Sequence, residues 1–160
     1  MKIGVVADTH DLPLPAQMLK EFKGVDLIVH AGDFCSLDVV EDLRRIKEVA
    51  GVYGNMDGSD IRRVFPRSQV LKLGGRAVGV FHGEGAPQSI LQKVQAEFSG
   101  KRVDAVIFGH SHQPLNEVID GVLYFNPGSP NDTVRAPYRS YGILELTDKG
   151  IKGSIVKIRN

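Results

Sequence analysis

The stretch "VDAVIFGHSHQP", Val103–Pro114, sets an apolar run against two histidines one residue apart. Val103 to Phe108 has the length and β-branched content of a buried strand. Gly109 closes it, and His110 and His112 follow at once. Open α/β sheets build their sites at the carboxyl ends of parallel strands. The question for the rest of the chain is whether the same pattern recurs: apolar run, glycine, ligand-type side chain.

It recurs four times. "KIGVVA" (2–7) reads as a buried strand and is followed by Asp8 and His10. "VDLIVHA" (25–31) is followed by Gly32 and Asp33, and "VAGVYG" (49–54) by Asn55. "SQVLKLGGRAVGVFHG" (68–83) reads as two strands turning at Gly74-Gly75, with His82 and Gly83 at its end. Between the early strands lie helical segments. "PAQMLKEF" (15–22) opens on proline, and "SLDVVEDLRRIKEV" (36–49) has a Ser N-cap, early acids and late bases. "APQSILQKVQAEF" (86–98) is also helical. "LNEVIDGVLYFN" (115–126) reads as a hairpin at Asp120-Gly121, and 138–160 as one at Asp148-Lys149-Gly150. Strand–helix–strand order with short connections predicts parallel strands. The expected architecture is one domain over residues 1–160, with two sheets face to face and helices outside.

The bulk numbers exclude several classes. The chain has 160 residues, 42% hydrophobic and 24% charged, with 20 basic against 19 acidic side chains. That balance gives no reason to expect a stable nucleic-acid or membrane-surface complex. No apolar run approaches the ~20 residues of a membrane span. Cys35 is the single cysteine, so no internal disulfide forms. The opening "MKIGVVADTH" lacks a secretory apolar region. The expected location is the cytoplasm.

Seven residues able to hold a metal thus follow five strands: Asp8, His10, Asp33, Asn55, His82, His110 and His112. Each alone has a plain structural reading. A lone Asp after a strand is a turn or cap, a lone His82 is a hydrogen-bonded histidine, and "GNMD" is a turn. Jointly they outnumber the donors that one tetrahedral ion takes, and all are nitrogen or oxygen donors. Two divalent ions sharing a carboxylate fit that count. Such a pair lies roughly 3.5–4 Å apart and supports phosphoryl transfer through a bridging hydroxide. Manganese is the first choice, with iron, nickel and zinc also suited. His30, before Asp33, reads as a supporting hydrogen-bond partner.

The ordered set Asp8-Thr9-His10, Gly32-Asp33, Gly54-Asn55, His82-Gly83 and Gly109-His110-Ser111-His112 resembles the calcineurin-like metallophosphoesterase superfamily. "FNPGSP" (125–130) is similar to the Asn-Pro-Gly-Ser turn of its small prokaryotic, YfcE-like phosphodiesterase branch. The resemblance spans residues 2 to about 146 and implies an α/β fold, a four-layer α/β/β/α sandwich of two mixed sheets. It implies that Asp8, His10 and His112 hold one ion, that Asn55, His82 and His110 hold the other, and that Asp33 bridges. Asp33, Asn55 and His82 would then act catalytically through the metal-bound hydroxide.

One position departs from the family. Where many members place a histidine after the motif asparagine, this chain has Met56, which cannot donate a proton. The general acid is thus unassigned. Asp57 reads equally as a supporting residue or a turn former. Arg135 and Arg139 are candidates to touch a phosphate, Phe34 to line the pocket, and 84–88 to form a rim loop. The expected activity is hydrolysis of small phosphodiesters. The rival readings are a phosphomonoesterase or protein phosphatase on the same metals, and a non-catalytic scaffold of the kind the retromer complex contains. Edge strands make a homodimer or higher homo-oligomer a further expectation.

Overall fold

A computed structural model describes residues 1–159. Its first sheet contains β1 (Lys2–Val6), β2 (Leu27–His30), β3 (Val49–Gly51), β9 (Ser140–Thr147) and β10 (Gly150–Lys157), in the order β10-β9-β1-β2-β3. Its second contains β4 (Ser68–Leu73), β5 (Arg76–Phe81), β6 (Ala105–Ile107), β7 (Leu115–Ile119) and β8 (Val122–Asn126), in the order β4-β5-β6-β8-β7. β1, β2 and β3 are parallel, as are β5, β6 and β8, while the remaining pairs are antiparallel. Both sheets are therefore mixed.

Alternation along each strand builds the layers. Ile3, Val5, Leu27 and Val29 face Val78, Val80, Ile107 and Phe125 in a core between the sheets. Val6 and Ile28 face the other way, against Met18 and Phe22 of α1 (Ala16–Phe22), Val40 and Leu43 of α2 (Leu37–Arg44), and Ile61 of α3 (Ser59–Val64). On the second sheet Val106 and Tyr124 meet Ile90 and Val94 of α4 (Ile90–Glu97). The result is the four-layer α/β/β/α sandwich expected. Phe125 sets the contact between sheets: a Cβ at Gly142 would lie 2.3 Å from its ring and one at Gly153 2.8 Å, so only bare backbone leaves room.

The strands expected over 25–31, 49–54 and 103–109 are shorter, Leu27–His30, Val49–Gly51 and Ala105–Ile107, and the helices differ in three ways. The helix expected over 36–49 ends at Arg44; Ile46 and Lys47 donate to the Leu43 carbonyl in a tightened last turn. Val49 is thereby freed to pair with Ile28 in β3, and strand pairing overrides helix propensity there. Ser36 caps the helix as read, accepting from the Asp38 N–H. The six-residue α3 was not anticipated; it buries one side chain, Ile61, too little for a periodic signal. The segment 86–98 begins as a 3₁₀ turn, Pro87–Ser89, before α4. The turn at Asp120-Gly121 has φ of 49° and 80°, the paired left-handed conformation that Asp-Gly favours in two-residue hairpins.

Replacing Phe125 by alanine is expected to cost about 3–5 kcal/mol. Val118→Ala, at a side chain 68% exposed on edge strand β7, is expected to stay within about 0.5 kcal/mol. Urea unfolding midpoints check both.

Candidate metal centre

The parallel strands of the two sheets deliver their carboxyl ends to one rim. Asp8 and His10 follow β1, Asp33 follows β2, Asn55 follows β3, His82 follows β5, and His110 and His112 follow β6. The rim is stitched across the sheets: His82 Nδ1 lies 2.7 Å from the Ala31 carbonyl, and the His110 N–H donates to Asp8 Oδ2 at 3.0 Å. Five of the seven residues, Asp8, His10, Asp33, His110 and His112, have φ between 50° and 69°. A side chain in that left-handed region costs of order 1–3 kcal/mol and persists only where its surroundings impose it. The sharp bends swing each side chain inward from the end of its strand.

All seven residues picked from the sequence converge. Asp8 Oδ1 is 3.4 Å from His112 Nε2 and 3.9 Å from both His10 Nε2 and His82 Nε2. Asp33 Oδ2 is 3.4 Å from His82 Nε2 and 3.9 Å from His10 Nε2. Asn55 Oδ1 lies 2.9 Å from His110 Nδ1 and 3.1 Å from His82 Nε2, and His10 Nε2 lies 3.1 Å from His112 Nε2. Two triads stand out, Asp8–His10–His112 and Asp8–Asp33–His82, each with its donor atoms within 4.8 Å of one another. Asp8 belongs to both and Asp33, expected to bridge, to one.

The far side of each ring decides what faces inward. A carbonyl only accepts, so the proton of His82 sits on Nδ1 toward Ala31, and that of His110 sits on Nε2 toward Gly85 O at 2.9 Å. His112 Nδ1 donates to the Asp132 carboxylate. In their neutral forms His82 Nε2, His110 Nδ1 and His112 Nε2 therefore turn lone pairs toward carboxylate, amide and imidazole groups. Acceptors facing acceptors at these distances need a cation among them. These residues fit divalent metal: hard oxygen and imidazole donors, tautomers fixed from behind. Cys35 does not join them. Burial first, then Asp33 and Asp57, push its thiol up to about 12, and it sits 3.6 Å behind His10 Nδ1.

Without metal the cluster draws protons instead. Burial alone would depress His112, but Asp8 and then Asp132 lift it to about 9. Burial opposes the charged form of His82 too, yet Asp33 and Asp8 raise it above the ordinary histidine value. The reciprocal effect lowers Asp33: burial pushes it up, and the His82 hydrogen bond and charge pull it down further.

A ring of hydrogen bonds fixes the donors. Asp57, buried, accepts from the N–H groups of Asp33 (2.9 Å), Cys35 (2.7 Å) and Gly54 (2.7 Å), locking the loops after β2 and β3 together. Of its two sequence readings, the supporting one holds. His30 accepts from the Gly32 N–H and bonds Thr9 Oγ1 at 3.1 Å, and burial drives its pKa well below the ordinary value, so it stays neutral. Gly32, at φ 100°, takes a conformation other residues avoid, and a Cβ there would meet His82 Nδ1 at 2.6 Å. In "FNPGSP", Asn126 donates to the Gly109 carbonyl and Ser129 to that of Asp8. Asp132, the acid behind His112, went unnoticed in the sequence: it lies 20 residues from its histidine with no motif joining them.

The donors open into a cleft of about 530 Å³, whose lining includes Leu12, Met56, Val134 and Arg135. Arg139 instead lines a separate hollow with Tyr138 and Ile158. Phe34 is core: fully buried, it stacks on His30 and Phe65. The expected rim loop touches the site through Gly85, whose carbonyl meets His110.

The sequence profile of the calcineurin-like phosphoesterase superfamily domain matches residues 1–149. The chain belongs to that superfamily. Among its calcineurin-like relatives, a probable metallophosphoesterase of Methanocaldococcus jannaschii is 34% identical over 154 residues, covering 93% of this chain and 78% of that protein. A phosphodiesterase of the same organism is 33% identical over 141 residues, covering 80% of this chain and 83% of that one. A crystal structure of a Vps29 single mutant from Entamoeba histolytica superposes with a TM-score of 0.78 at 23% identity, over 99% of this chain and all of that one. That last likeness is one of fold.

His112 sets a pH test. Its value is about 9 in the metal-free folded chain against 6.5 ordinarily. The protonated ring therefore adds stability that is fully present below about pH 6.5 and is lost as pH rises through about 9. Metal needs the neutral ring, so its affinity is expected to climb across the same window while a proton is released. Urea midpoints of metal-free protein and titration calorimetry check the two trends; His112→Gln flattens the first. Asp57→Ala, which orphans three N–H groups, is expected to cost about 3 kcal/mol or more.

Proposed function

We propose that the chain is a metal-dependent phosphodiesterase acting on small phosphodiesters. The observation that carries this reading is the convergence of seven metal-competent donors, five of which, His10, Asp33, Asn55, His110 and His112, line an open cleft. Asp8, His10 and His112 would hold one divalent ion and Asn55, His82 and His110 a second, with Asp33 between them. Two such ions, manganese the first choice with iron, nickel and zinc also suited to this imidazole–carboxylate set, would supply Lewis acidity toward phosphoryl oxygens and hydroxide near neutral pH.

The protein's own groups do the rest. Asp8 and Asp33 place negative charge where it offsets that of the ions. The backbone N–H of Met56 fixes Asp33 through Oδ1 at 2.8 Å, leaving Oδ2 to the histidines. Arg135, in the cleft wall, offers a guanidinium to a phosphate oxygen. At Met56 the chain has no proton to give, so the departing alcohol leaves as its anion unless water protonates it. That favours diesters of acidic alcohols. The name borne by the 33%-identical Methanocaldococcus relative, a phosphodiesterase, agrees. A non-catalytic scaffold has no need for seven competent donors, three of them imidazoles fixed from behind, and a lone cysteine suits a cytoplasmic setting.

Bis-p-nitrophenyl phosphate is expected to be hydrolysed faster than p-nitrophenyl phosphate, with activity lost in chelator and restored by manganese. Asp33→Asn is expected to lower kcat/KM by about 10²-fold or more, as loss of a metal-site carboxylate does. Preference for the monoester would turn the reading toward a phosphatase, and an active Asp33→Asn would end the role of Asp33. Replacing a p-nitrophenyl leaving group by phenyl is expected to slow hydrolysis roughly 10²-fold, about the contribution a positioned acid would otherwise make. Met56→His narrows that gap.

A further inference from the structure

Resting on the phosphodiesterase reading, the geometry points to a narrower substrate class: a phosphodiester whose non-leaving alcohol is apolar, held by a hydrophobic rim above the donor cluster. Eight large hydrophobic side chains are exposed among the described residues, and three of them, Leu12 (48%), Met56 (60%) and Val134 (90%), line this one cleft. Scattered exposed apolar residues need no explanation, but a group ringing a polar site does. Each lies within two residues of a group already placed at the site: Leu12 after His10, Met56 beside Asn55, and Val134 after Asp132.

Val134 is not exposed because its loop is loose. Asp132 Oδ1 accepts from the N–H groups of Val134 (2.7 Å) and Arg135 (3.0 Å), Gln113 Nε2 donates to Arg135 O at 2.7 Å, and Asn131 Nδ2 donates to Thr9 O at 2.9 Å. Leu12 is likewise held, its N–H donating to Thr9 O at 3.2 Å. Anchored backbone presents these side chains outward. The cleft, at about 530 Å³, is the size of sites that take a whole organic group. Among the described residues its lining contains no Phe, Tyr or Trp to stack a nucleobase, its three histidines belong to the donor cluster, and its permanent cation is Arg135, suited to a phosphate oxygen. Anion at the floor and hydrocarbon at the rim describe an alkyl or simple aryl phosphodiester rather than a nucleotide.

The test keeps the leaving group constant. Methyl, butyl and thymidine-5′ esters of p-nitrophenyl phosphate are compared with the manganese-loaded protein. From methyl to butyl kcat/KM is expected to rise about fivefold to tenfold, the gain from partly burying three methylenes, with the thymidine ester close to methyl. Leu12→Ser and Val134→Ser, at exposed positions that do not threaten folding, are each expected to halve the butyl-to-methyl ratio or reduce it further. A flat series in an active protein overturns the apolar subsite while leaving the phosphodiesterase reading standing. A thymidine ester that outruns butyl overturns it in favour of nucleotides. Variants that change the molecular mass by light scattering without moving the ratio make the rim an interface between copies. If no diester is hydrolysed, both readings fall together.

Discussion

Seven electron-pair donors within contact distance of one another repel unless positive charge lies among them. The carbonyls behind His82 and His110 hold the first ring proton of each, so the inward nitrogens carry a lone pair unless a second proton joins them. Collapse onto other partners would relieve the repulsion. The fold prevents it by bending the chain into left-handed conformations at five of the seven residues. That local strain is offset by the bonds around it, and the outcome is a cluster whose lowest-energy state includes a cation, whether protons on His82 and His112 or metal.

The sandwich makes this arrangement possible. Neither sheet alone supplies the set: β1, β2 and β3 contribute four residues and β5 and β6 three. The two rims must lie level to within a hydrogen bond, and the contact between His82 and Ala31 O fixes that level from one side. Deeper down, Phe125 against bare backbone at Gly142 and Gly153 sets how closely the sheets approach. Packing and chemistry are thus linked: the core fixes the spacing on which the donor distances depend.

Much of this was legible in the sequence. Strand–glycine–ligand recurrences marked the rim, and continuous apolar runs marked strands covered on both faces, because both signals are local. What stayed hidden is non-local. Asp132 finds His112, and the Ala31 and Gly85 carbonyls find His82 and His110, only once loops from distant parts of the chain are in place. Asp57 read equally as a turn former or a supporting residue, and what decides is distant: two of its three accepted N–H bonds come from a loop 22–24 residues earlier. The early end of α2 and the presence of α3 were illegible for another reason. Val49 is equally apt for helix or strand until Ile28 offers a pairing edge, and a six-residue helix with one buried side chain leaves no period to read.

Fold and chemistry answer to different residues. A TM-score of 0.78 against Vps29 at 23% identity follows from strand order and core packing, which constrain chemistry little. The donor set carries more, and its halves are not equivalent. His112 is backed by a carboxylate, His82 and His110 by neutral carbonyls. A carboxylate behind an imidazole strengthens its donor nitrogen more than a carbonyl does. The half built on Asp8, His10 and His112 is therefore the stronger site for a cation. The other proposed half, which relies on Asn55, would carry less negative charge and lies beside Met56, a side chain with no proton to donate. On the proposed two-ion reading the pair would be asymmetric, one ion held firmly and one position more exchangeable, and the cause lies in side chains whose partners sit on loops that the periodic parts of the sequence do not describe.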